Sequence, residues 1–106
     1  MIYTTTETIP GRDIIAIVGV VTGNVVQSKH IGRDIMAGFK SIVGGEIRGY
    51  TEMLTDARDV AIARLVASAA EKGADAIVGI RFTTSAIMEG ASEIMAFGTA
   101  VKLAPR

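Results

Sequence analysis

Ile14-Ile15-Ala16-Ile17-Val18-Gly19-Val20-Val21-Thr22-Gly23-Asn24-Val25-Val26 is the stretch from which the fold can be read. It is an almost unbroken run of β-branched residues, which pack well on a pleated surface and are stiff at χ1. It predicts a first long strand over 13–26, with a bend or bulge where Gly23 interrupts the run. Upstream, Ile2-Tyr3-Thr4-Thr5-Thr6 is a short β-forming segment that Pro10-Gly11 ends as a turn. Downstream, Ile35, Phe39, Ile42 and Val43 recur at helical spacing and Gly44-Gly45 stops them, which predicts a helix over 33–43. A stronger helix is predicted over 50–72 from Leu54, Ala57, Ala61, Leu65 and Ala69, with Gly73 at the C′ position. Ala76 to Thr84 and Ile94 to Leu103 read as strands, joined by a turn at Glu89-Gly90-Ala91.

The expected fold is therefore α+β, in two layers, with an antiparallel sheet carrying helices on one face. The order is β-β-α-α-β-β, in a single domain over 1–106. The last two strands form a hairpin, and the helical layer must return the chain to the same sheet. The economical solution places the last strand in the middle, beside the first long strand. Gly98 and Ala100 suit that position, and the strand has no internal proline.

Neither face of this sheet reads as solvent-facing. By simple alternation, Ile14, Ala16, Val18 and Val20 point one way and Ile15, Ile17, Gly19 and Val21 the other. In the last strand Met95, Phe97, Thr99 and Val101 oppose Ile94, Ala96, Gly98 and Ala100. The helices can cover only one face, and soluble monomers rarely carry a large apolar patch. In a chain of 106 residues the other cover is a second copy of the chain.

Composition narrows the function classes. Hydrophobic residues make up 49% and charged residues 21%, with eleven Lys+Arg against eleven Asp+Glu. That balance excludes a disordered tail. It also speaks against nucleic acid as a partner, since no excess of positive charge is available for phosphates. No apolar run reaches the length of a membrane span, and no basic segment leads into an apolar one as in a signal peptide, so a cytoplasmic location is expected. With no cysteine there is no disulfide, thiolate metal site or thiol nucleophile.

Several segments together carry a family resemblance. They are Thr5-Thr6-x-x-Ile9-Pro10-Gly11, Gly19-Val20-Val21-Thr22-Gly23, Tyr50-Thr51 with Ala57-Arg58, Gly73-Ala74-Asp75-Ala76-Ile77-Val78-Gly79, and Gly98-Thr99-Ala100-Val101. In this order the chain resembles the YbjQ family of small proteins labelled as heavy-metal-binding. The resemblance implies a dodecin-like subunit, a ring of five subunits and a divalent metal ion as the cofactor. It brings no ligand set that carries over residue by residue. Cysteine chemistry cannot underlie a metal site here, and histidine chemistry rests on one residue.

Four groups of residues could carry chemistry. His30 is the only imidazole, with Asp34 four residues on and Lys29 and Arg33 beside the pair. Soft metals favour imidazole, although a solvated loop histidine is the simpler account. Five copies in a ring could bring five His30 side chains around one axis. Glu52, Asp56 and Asp59 lie within about 60° of one another on the second helix, an oxygen stripe suited to hard cations. A solvated helix face near the positive end of the dipole explains the same stripe. Arg58 falls between Leu65 and Ala69 on the helical wheel, inside the apolar arc. A buried guanidinium needs a carboxylate partner, from Glu46, Asp75 or a neighbouring chain, as a structural ion pair or a ligand contact. Gly44-Gly45 precedes a helical segment and could offer N–H groups to an anion, though a plain turn explains it.

No phosphate-binding Gly-Lys-Ser/Thr follows Gly19 or Gly23, and Ser28 is the only serine near His30. The function expected is a non-enzymatic homo-pentameric module. It would hold a metal ion or small ligand between subunits. The alternative is a structural or protein-interaction ring without a ligand.

Overall fold

The computed structural model describes residues 1–28, 42–43 and 46–106. In chain order the elements are β1 (Ile2–Tyr3), β2 (Ile14–Ser28), β3 (Ile42–Val43), β4 (Glu46–Ile47), α1 (Arg48–Glu71), β5 (Ala76–Met88) and β6 (Ala91–Leu103). The main sheet runs β1-β5-β6-β2, while β3 and β4 form a separate antiparallel pair. β6 is antiparallel to both neighbours, β2 and β5. The last strand thus occupies the middle of the sheet.

Three expectations need correction. The sheet is mixed rather than antiparallel, because β1 runs parallel to β5. Among the described residues the order is β-β-β-β-α-β-β, and Ile42 and Val43, expected to end a helix, are in a strand. Two β-branched residues have little helical preference against a pairing that satisfies their backbone groups. The remainder of that expected helix, 33–41, and Gly44-Gly45 lie outside the described residues. The third correction concerns Gly23. It is no bulge, for it pairs regularly with Ala96.

The irregularities of β2 lie earlier, between Ile14 and Ala16 and between Ile17 and Gly19. Each inserts an unpaired residue and flips the alternation of everything before it. Val18 therefore packs under the helix while Val20 is 73% exposed on the other face. Simple alternation puts these two side chains together.

Gly23 serves as the crossing point of α1. A Cβ at this position would overlap the Ala61 carbonyl oxygen and the Leu65 backbone nitrogen, and would stand 2.9 Å from Leu65 Cα. The sheet presents small residues here, Gly23, Ala96, Gly98 and Ala100, and the helix answers with Ala57, Ala61 and Ala69, all buried. Small residues on both sides bring the helix backbone down onto the sheet. Leu65, Val21, Ile77 and Ile80 fill the flanks of this seam.

The buried row on α1 is Ala57, Ala61, Leu65, Ala69, every fourth residue. Such a row is inclined to the helix axis, so the buried arc drifts round the helix along its length. Arg58 sits at the level of Ala57, about 100° away from the row, and is exposed. A wheel that treats the arc as parallel to the axis places it wrongly. The helix ends as Gly73 predicts. The Ala74 N–H donates to the Ala69 carbonyl at 3.1 Å and the Gly73 N–H to the Ala70 carbonyl at 3.0 Å, with Gly73 at φ 73°. This is the Schellman arrangement, and it needs a residue free to adopt positive φ.

A smaller cluster, Ile9, Ala76, Val78, Val101 and Leu103, lies at one end of the opposite sheet face. Ile9 covers it from the N-terminal segment, which turns back through Arg12 N–H to Ile9 carbonyl at 3.1 Å.

Candidate functional site

Beyond the Ile9 cover, the face of the sheet opposite α1 is open in the single chain. The register puts Ile17, Val20, Thr22, Asn24 and Val26 of β2 on this face, beside Val101, Thr99, Phe97, Met95 and Glu93 of β6. Ile17 is 76% exposed and Val26 53%, while Phe97, Met95 and Thr99 are half-buried by their neighbours in the sheet. The centre of the face, from Ile17 to Thr22 and across to Phe97 and Thr99, holds no charged residue. Its one polar pair lies toward the β5–β6 turn, where Asn24 Nδ2 donates to Glu93 Oε2 at 2.9 Å. Sequence patterning places Phe97 on a face needing cover. Ile17 and Val20 come to share that face only through the bulge between Ile17 and Gly19.

The residues singled out for metal chemistry are not drawn together. His30 lies outside the described residues, and so does the side chain of Glu46. Glu52, Asp56 and Asp59 are all on the exposed face of α1. Among the described residues no group of three or more His, Asp or Glu side chains is placed to hold a metal ion. Nor does the donor chemistry suit a soft heavy metal, since these groups are carboxylates and thiolates are absent.

Asp75 has a structural task. Its Oδ2 accepts the Leu103 N–H at 2.9 Å, while its own N–H donates to the Val101 carbonyl at 2.9 Å. These bonds clip the α1–β5 junction to the end of β6. Arg58 lies thirteen residues before the last residue of α1, about 20 Å along the axis, so Asp75 of the same chain is not its partner.

Three surface openings border these residues. One of about 660 Å³ lies between Tyr3 and the helix residues Asp59, Ile62 and Val66. A second of about 660 Å³ is lined by Arg12 and Asp75 with Ile2 and Leu103. The third, about 300 Å³, lies where Leu54 stands over Thr84, Ala86 and Ile94. All three are open to solvent on the single chain. Asp59 and Asp75 each line one of them, while Arg58 lines none.

A family model described as putative heavy-metal-binding, YbjQ, matches residues 1–104. The chain belongs to the YbjQ family. A UPF0145 protein of Shewanella frigidimarina is 92% identical over 105 residues, covering 99% of this chain and 98% of the relative. A UPF0145 protein of Thermotoga maritima is 60% identical over 103 residues, covering 97% of both. A crystal structure of a protein of unknown function from Pediococcus pentosaceus, of the DUF74 family, matches with TM-score 0.66 over 98% of each chain at 18% identity. That likeness concerns the fold: a small α+β unit with a four-stranded mixed sheet and a helix packed on it. The names of these YbjQ and UPF0145 relatives specify no reaction, and no helix among the described residues is long and apolar enough to cross a membrane.

Proposed function

We propose that this YbjQ chain is a non-enzymatic cytoplasmic binding module that works as a homo-oligomer, a ring of five dodecin-like subunits. Its metal-ion or small-ligand sites would lie between subunits. The observation that carries the reading is the open sheet face. Fully burying a Val or Ile side chain stabilises by about 1.5–3 kcal/mol. Scaled to the exposure of Ile17, Val20 and Val26, covering them contributes roughly 3–6 kcal/mol per subunit. Association costs about 4–15 kcal/mol in lost freedom. The face therefore favours self-association strongly but needs a second contact beside it.

An inter-subunit position for the ligand follows from the donors. Within one chain the described carboxylates do not converge, so a site built from them would combine groups from two copies. Oxygen donors from Glu52, Asp56 or Asp59 would take a hard divalent cation, whereas His30 would favour a softer one. A second reading, a ring that docks a protein partner and holds no ligand, is favoured by the missing metal cluster among the described residues.

Light scattering on untagged protein tests the assembly. The expected mass is about 55 kDa, five times the 11.1 kDa chain; a species of one chain's mass at micromolar concentration overturns the reading. Isothermal titration of the assembled protein with zinc, nickel and copper separates the two readings. Saturable heat at a fixed stoichiometry supports the ligand site, and its absence with all three metals supports the docking ring.

A further inference from the structure

Among the described residues the sheet has two edges without a strand neighbour. β2 has a neighbour on one side only, and no described strand flanks the other. Its fifteen residues include no charge and no proline. Natural edges are usually guarded by lysine, proline, bulges or covering loops, because unpaired N–H and C=O groups are a template for another strand. The bulges of β2 are confined to its first half, so Gly19 to Ser28 is a regular run, on which the Arg64 guanidinium holds one carbonyl, that of Asn24.

The opposite edge belongs to β5. Its first half is covered by β1 and the N-terminal segment, through Thr4 N–H to Ile77 carbonyl, Gly79 N–H to Thr6 carbonyl and Ile80 N–H to Thr4 carbonyl. From Arg81 to Met88 no described strand flanks it, and all eight residues are exposed. Phe82, Ile87 and Met88 are 45%, 50% and 67% exposed. The one charge, Arg81, is turned back to the Thr5 and Ile80 carbonyls at 2.9 and 2.8 Å.

The two free segments lie at the same height on the sheet. Arg81 pairs with Phe97, which pairs with Thr22; Met88 pairs with Ala91, which pairs with Ser28. Both strands are antiparallel to β6, so they point the same way. A copy placed alongside with its helix on the same face therefore presents its Arg81–Met88 edge to Thr22–Ser28 in parallel, with no shift along the strands. A head-to-tail contact without such a shift closes into a ring rather than climbing into a filament.

We propose that YbjQ subunits join by this contact, the β5 edge at Arg81–Met88 of one copy pairing in parallel with the β2 edge at Thr22–Ser28 of the next. The inference rests on the oligomeric reading above and names the surfaces that make it. It satisfies both edges with one kind of interface. Two-fold antiparallel pairing of β2 with β2 does not: it leaves each Arg81–Met88 segment uncovered. It also gathers at one seam two Arg64 guanidiniums, each bonded to its own Asn24 carbonyl at 2.6 Å.

Because the chain has no cysteine, introduced thiols report the contact cleanly. Val26 and Ser85 both pair with Glu93, so they share one height and one face. The variants Val26→Cys and Ser85→Cys are each expected to assemble at full size and to form no disulfide alone. Mixed, dissociated and reassembled under mild oxidation, they are expected to give a disulfide dimer containing one of each. The double variant is expected to give a ladder of covalent oligomers. Repeating the mixture with Thr83→Cys, on the same face, covers a slip of two residues. A cross-linked dimer from Val26→Cys alone overturns the proposal in favour of β2–β2 pairing. A full-sized oligomer with no cross-link from either mixture overturns it while leaving self-association standing. A protein of one chain's mass removes both.

Discussion

Gly23→Ala is the most direct test of how the helix is seated. The added methyl would overlap the Ala61 carbonyl oxygen and the Leu65 nitrogen and stand 2.9 Å from Leu65 Cα. All three are main-chain atoms in the middle of a helix, so no rotamer change can make room. α1 has to rise from the sheet by an ångström or so. A gap of about 0.5–1 Å already forfeits a quarter to a half of each dispersion contact, and Leu65, Ala61, Ala69, Val21 and Ile80 share this seam. Overpacking usually costs about 1–3 kcal/mol, and a backbone clash belongs at the top of that range. Against it stands a gain of about 0.5–1 kcal/mol from removing a strand glycine's unfolded-state freedom. The net loss is roughly 2–2.5 kcal/mol, which lowers the melting temperature by about 8–20 °C for a domain of this size. The assay is thermal unfolding by circular dichroism at one fixed protein concentration, because self-association makes the midpoint concentration-dependent. Gly98→Ala is the internal comparison. Its Cβ would meet Ile77 Cγ2 at 3.0 Å, Ile80 Cγ1 at 3.1 Å and the Val78 carbonyl at 3.1 Å. Side-chain ends can yield, so its loss is the smaller of the two. A Gly23→Ala protein melting within 2 °C of the wild type, or a costlier Gly98→Ala, would show that the helix does not cross the sheet at Gly23.

Val20→Lys is expected to leave a folded single chain but reduce the mass found by light scattering, because the side chain is exposed until a second copy covers it; Phe97→Glu, half-buried on the same face, is expected to abolish soluble assembly, and a full-sized oligomer from either variant would put the interface elsewhere. Arg58→Ala is expected to change folding stability by no more than about 0.5 kcal/mol, as befits an exposed side chain away from packing; a larger loss in the assembled protein would reveal a carboxylate partner from a neighbouring copy. Gly73→Ala is expected to cost about 1–2 kcal/mol, because its φ of 73° is one that alanine adopts only under strain, and a melting curve like that of the wild type would refute the helix cap.

Much of this fold was legible where one periodicity governed a segment. The alternation of β6, from Ile94 to Leu103, assigned its faces and its central place, because no irregularity interrupts its pairing with β2 across Gly98 to Ala91. The helix at 48–71 and its Gly73 cap followed from spacing and one glycine. The faces of β2 were not legible, since a bulge is decided by how two distant strands fit, and nothing in Ile14 to Gly19 marks which residue is left unpaired. Gly23 had two meanings, bulge or close approach, and only the position of the helix decides between them. Arg58 was misplaced for a related reason: the tilt of a buried row depends on what the helix lies against. The open face was legible as a surplus of apolar residues. The edge contact was not, because it rests on the height of Arg81–Met88 relative to Thr22–Ser28, a property of register.

The central position of β6 bears on how the chain comes to exist at all. Ser28 pairs with Ala91 and Ile14 with Leu103, so every rung joins residues separated by more than half the sequence. During synthesis β2 is finished early, and its only partner in the sheet is nearly the last segment to be made. At about 5–20 residues per second, the interval from Ser28 to Leu103 is roughly 4–15 s. Through that time this charge-free strand of fifteen residues lacks its partner in the sheet, and topologies dominated by such distant pairings fold slowly even once complete. The nascent chain thus passes through a period of dependence on chaperones or on dilution from its own siblings, and its yield in the cell should answer to translation speed as well as to the stability of the finished fold.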